Sequence, residues 1–140
     1  MKKSVCTIAM IGLLSASGQV LAAEGSQPGD NAVQVEMRLL DKAFKNAVDG
    51  LLLNMPEIIE GPFHKVHKAK MNTEKAIKKG AIKLPKNSDK LNEFVELDEA
   101  FHEKLVGLLK ASRKKDMNAV KNSIHEIMDG CVQCHNKFKN

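Results

Sequence analysis

In four successive stretches of this chain, apolar residues return every three or four positions. That is the period of one face of an α-helix, and it leaves little room for any other fold. Val33, Met37, Leu40, Phe44, Ala47 or Val48, and Leu51 define a first helix over about 31–53, with Asp30 or Asn31 as its cap. Pro56 and Gly61-Pro62 interrupt the pattern. Pro62 suits the first turn of a second helix, where its missing N–H costs nothing. That helix runs to about 79 with a weaker stripe of Phe63, Val66, Lys70 or Met71, Glu74 and Ile77. Gly80 closes it as a left-handed cap. Leu91, Phe94, Leu97, Phe101, Leu105 and Leu108 mark a third helix, from Ser88 or Asp89 to about Ser112. Asp116 caps a fourth, whose stripe is Val120, Ile124, Ile127, Cys131, Cys134 and Phe138. No β-pattern and no glycine-rich phosphate loop competes. The expected fold is all-α, an antiparallel four-helix bundle.

The N-terminus reads differently. Lys2 and Lys3 precede an apolar run from Val5 to Leu14, and Ser15 to Ala23 supplies small residues. The run is too short for a bilayer span, which needs about 20 residues. Residues 1–23 are therefore expected to be a secretory signal peptide, with 24–140 as one domain exported to the periplasm. Without Lys2 and Lys3 the net charge falls from +5 to +3, too mild to suggest a nucleic-acid partner. Tyr and Trp are absent, which removes the usual base-stacking platforms. No later apolar run approaches the length of a membrane span.

Cys6 leaves with the signal, so only Cys131 and Cys134 remain of the three cysteines. A disulfide between them would close a tiny loop and stabilise almost nothing. Together with His135 they form Cys-x-x-Cys-His, the signature of c-type haem attachment. The spacing has a physical sense, because positions i, i+3 and i+4 share one helix face. Each thiol can form a thioether with one haem vinyl group, and His135 can reach the iron. A thioredoxin-like reading would need a βαβ context. A structural zinc site would need about four ligands, where this turn offers three.

The C-terminal position of the motif, the helical content and the chain length resemble the cytochrome c′ family. That resemblance implies a four-helix bundle, usually dimeric, with one covalent haem c between the helices. It places the thioethers at Cys131 and Cys134 and the proximal ligand at His135. On the distal side such proteins carry either a bulky apolar residue over an open iron or a Met ligand. If the first and last helices are antiparallel neighbours, the haem end of the last faces about 32–41. There Val33, Met37 and Leu40 point inward. Met37 is the candidate distal ligand, and Leu40 is the alternative as a steric cap.

His64, His67, His102 and His125 lie outside the motif. Glu99-x-x-His102 has the spacing found in di-iron bundles. By helical rise, His67, His102 and His125 fall at one level, roughly 20 Å from the haem end. Glu36 and Asp41 fall at another level, so a second metal site is not expected, and His102 should simply bond Asp98. Lys65, Lys68, Lys70, Lys75, Lys78 and Lys79 crowd the second helix. They make either a solvated face or a docking surface for an acidic redox partner. The expected function is a periplasmic monohaem electron carrier and not an enzyme. A five-coordinate protein binding NO or CO is the alternative.

Overall fold

The structure is a computed structural model that describes residues 27–139; the signal-peptide expectation lies outside them. Four helices follow one another: α1 (Ala32–Leu52), α2 (Glu60–Lys78), α3 (Leu91–Arg113) and α4 (Met117–Phe138). A single 3-10 turn at Pro56–Ile58 links α1 to α2. No strand is present among the described residues, and the protein is an all-α bundle. No described helix is long and apolar enough to cross a membrane.

The helix ends follow local chemistry. Asn31, not Asp30, caps α1: its side chain accepts from the Gln34 N–H, while Gln34 reaches back to the Asn31 N–H. Asp30 instead clamps Arg38 through two hydrogen bonds of 2.8 and 2.9 Å. Asp116 caps α4 by accepting from the Ala119 N–H. Gly80 closes α2 at φ +67°, the left-handed conformation that glycine adopts without steric cost. After α3 the same role falls to Lys115, at φ 57°. A left-handed non-glycine residue costs roughly 1–2 kcal/mol, against about 0.5–1 kcal/mol of extra glycine entropy. Lys115→Gly is therefore expected to stabilise the protein by about 0.5–1 kcal/mol. A higher urea midpoint at unchanged slope would show it, and a lower midpoint would contradict it.

α1 packs chiefly on α2, and α3 on α4. The pairs Phe94–Phe138, Phe101–Gly130 and Lys104–Glu126 run in opposite directions along α3 and α4. α1 also meets α4, and α2 meets α3, so α1 and α3 lie diagonally across the bundle. The main core joins Leu40, Phe63, Val66, Leu105, Leu108, Ile124 and Ile127. Leu108 and Ile127 are fully buried, each worth about 1.5–3 kcal/mol relative to exposure. A second cluster closes the end where α4 finishes. There Ile82 and Leu84 of the α2–α3 loop pack with Phe94 and Phe138.

The buried face of α1 is rotated from the expected stripe. Glu36, Leu40, Ala43, Ala47 and Gly50 are buried, while Met37, Phe44, Val48 and Leu51 flank them. Small residues let α1 and α2 approach closely. A Cβ on Gly50 would lie 2.6 Å from the Ile59 side chain. On α2 the buried face is Phe63, Val66, Ala69 and Thr73, and Met71 is exposed. On α3, Asp98 is buried where Leu97 was expected to be.

Candidate haem site

The three residues of the motif occupy the last turns of α4. Cys131, Cys134 and His135 are all partly buried. Cys131 packs against the main core and Cys134 against the second cluster, so the thiols straddle the junction between the two. Gly130 is buried just before them because Phe101 of α3 approaches so closely. A Cβ there would lie 2.8 Å from the ring.

A cleft of about 1010 Å³ opens at this end of the bundle. Its walls include Val33, Leu84, Phe94 and Phe138, with Cys134 and His135 on the α4 side and Met37 on the α1 side. Arg38, Lys42, Lys83 and Lys139 also line it. The structure thus brings Met37, Cys134 and His135 to one cavity. Cys131 lies one turn away on the same helix and does not line it. Leu40 does not line it either: it sits in the main core at 5% exposure. It packs there with residues of the other three helices.

The cavity suits a haem. Its volume is at the upper end of the roughly 300–1,000 Å³ typical of ligand sites. Val33, Leu84, Phe94 and Phe138 offer apolar surface to a macrocycle, and Arg38, Lys42, Lys83 and Lys139, which outnumber the acidic Asp41, suit carboxylate substituents. Burial pushes the Cys134 thiol up to about 11, helped by the nearby Asp98 and Cys131, and burial also raises Cys131. Both are therefore protonated thiols at neutral pH. That is the reverse of the low-pKa thiolates of redox-active pairs. Burial, and then the charge of Lys139, lowers the His135 imidazole. It is neutral at pH 7, the form that ligates iron.

Of the remaining histidines, His64, His67 and His125 are exposed, with His64 3.9 Å from Glu60. His102 differs. Its Nε2 lies 2.8 Å from Glu36 Oε1 and 3.6 Å from Asp98 Oδ1. Glu36 is fully buried. The expectation that Glu36 lies at the wrong level for His102 is overturned. Helical rise alone neglects the reach of two long side chains, and α3 starts at Leu91, which brings His102 nearer the haem end than counting from Ser88 allowed. The residue types were visible in the sequence, but nothing in their spacing linked Glu36 to α3. Asp98 is pushed up to about 6, first by burial and then by the Glu36 charge, against the pull of His102 and Lys70.

A helical bundle whose last helix brings a thiol, Cys134, and an imidazole, His135, to a cleft shared with α1 has the donor set a haem site needs. The family comparison agrees: residues 74–139, from the last turn of α2 through α4, match the family model described as Cytochrome C′. The resemblance read from the sequence is borne out over those residues, a little under half of the chain, and the four-helix fold is consistent with it. Neither the curated proteins nor the solved structures contain a match to this chain.

Proposed function

We propose that this protein is an exported monohaem c-type cytochrome that carries electrons. In this reading Cys131 and Cys134 hold the haem by thioethers, His135 is the proximal ligand and Met37 the distal one. The observation that carries it is the single cleft lined by both His135 and Met37. Bound haem iron supplies one-electron exchange between its ferric and ferrous states, with a potential tuned by the axial ligands. The chain brings a neutral imidazole from α4 and a thioether sulfur from α1 to the walls of one cleft. Export to the periplasm follows from the signal-like segment 1–23.

The lysines suggest the partner. Lys68, Lys75, Lys78 and Lys79 are exposed on α2, a surface suited to an acidic redox protein. Lys70 is not part of it, because it turns inward and pairs with Glu74. The family resemblance adds a homodimer to this reading.

The absorption spectrum of oxidised, haem-loaded protein tests the proposal. The expected result is low-spin iron with the charge-transfer band of Met–Fe(III) ligation, and slow or absent CO binding when reduced. A high-spin spectrum with rapid CO binding would replace it with the five-coordinate, NO- or CO-binding alternative.

A further inference from the structure

A second group of potential ligands lies in the bundle interior, next to the cleft but not lining it. Glu36 comes from α1, and Asp98 and His102 come from α3 at i, i+4, so both α3 residues share one helix face. Oxygen and nitrogen atoms of all three lie within 4.8 Å of one another. Glu36 is fully buried, Asp98 is 8% exposed, and the His102 side chain is 13% exposed.

The hydrogen bonding here is incomplete. His102 Nε2 carries at most one proton, and the 2.8 Å contact directs it to Glu36 Oε1. At 3.6 Å, Asp98 is beyond hydrogen-bond reach. Glu36 Oε2 has no partner at all, although it is out of contact with solvent. A buried carboxylate oxygen without a donor is costly, and such atoms call for an explanation. The nearest cation on α2, Lys70, is neutralised by Glu74 of its own helix.

We infer that Glu36, Asp98 and His102 form a binding site for a divalent transition-metal cation, separate from the haem. Two carboxylates and an imidazole offer the donor types that such cations take. Ligand atoms at about 2.0–2.2 Å from a metal stand a little over 3 Å apart, so the 2.8 Å Glu36–His102 contact would open, giving up its shared proton, while the wider separations in the group close. Glu36 Oε2, or a water, supplies a fourth donor. Ion entry is from the His102 side, the most exposed of the three. The cation would tie α1 to α3 across the diagonal of the bundle. This inference is independent of the electron-carrier reading.

The test is calorimetric titration of metal-free, haem-loaded protein with Zn²⁺, with Mg²⁺ as the hard-cation comparison. Haem loading keeps the cleft residues from competing. The expected result is one saturable Zn²⁺ site per chain, a higher melting temperature with Zn²⁺, and little response to Mg²⁺. Glu36→Gln and Asp98→Asn should each weaken Zn²⁺ binding at least about tenfold, with circular dichroism reporting on the fold. A His64→Ala/His67→Ala variant should bind as the parent does. Absence of saturable binding overturns the inference. So does binding unchanged in the folded Glu36 or Asp98 variant, or binding lost only with His64 and His67.

Discussion

Replacing Cys131 and Cys134 together by alanine is expected to yield a protein that loses all its colour to acid–acetone, where the parent retains it. The expectation rests on two thiols one helical turn apart, both buried enough to stay protonated, beside a cavity large enough for a macrocycle. They are also the only cysteines among the described residues. Without thioethers, only axial ligands would hold the cofactor, and denaturing solvent breaks those. The single variants should differ. Cys134→Ala removes a residue lining the cleft, whereas Cys131→Ala removes one packed on the main core, with roughly 1 kcal/mol lost in packing as well. Each should keep its colour through the remaining thioether. Colour that stays with the double variant would place the attachment elsewhere and remove the c-type assignment.

Helix α4 was the most legible element, because Val120, Ile124 and Ile127 are large, apolar and spaced four and three apart. All three are buried as expected. Helix α1 was misread in its rotation, for a physical reason. Ala43, Ala47 and Gly50 add little hydropathy to a periodic pattern, so Phe44, Val48 and Leu51 dominated it. Close helix contact needs small residues, however, and those three form the buried face together with Glu36 and Leu40, of which only Leu40 and the alternative Ala47 were expected. The same bias hid Ala69 and Thr73 on α2. Ile82 and Leu84 lie in a loop, where helical periodicity has nothing to say, yet they close the end of the core where α4 finishes. That Met37, Cys134 and His135 come to one cleft was legible, because the register of α1 against α4 could be counted along the helices. The Glu36–His102 contact was not, since a buried carboxylate breaks the apolar stripe on which the helix reading depended.

Met37→Ala is expected to convert a low-spin cytochrome into a high-spin or water-ligated one that binds CO readily, with a lowered reduction potential. A thioether ligand fills the coordination shell and favours the ferrous state, so its removal acts on spin, access and potential together. The structure supplies a control that sequence alone lacked. Met37 lines the cleft with His135, whereas Leu40, one turn further along α1, is buried in the main core. Leu40→Ala should therefore cost about 2–5 kcal/mol of stability and leave the spectrum unchanged. Met37→Ala should cost less than that, because Met37 is only partly buried. The two variants thus separate ligation from packing: one moves the spectrum and barely the melting point, the other the reverse. Should Met37→Ala leave the spectrum as it was while Leu40→Ala changes CO binding, the sulfur is not a ligand. The iron would then be open on its α1 side, and the NO- or CO-binding reading would take the place of the electron carrier.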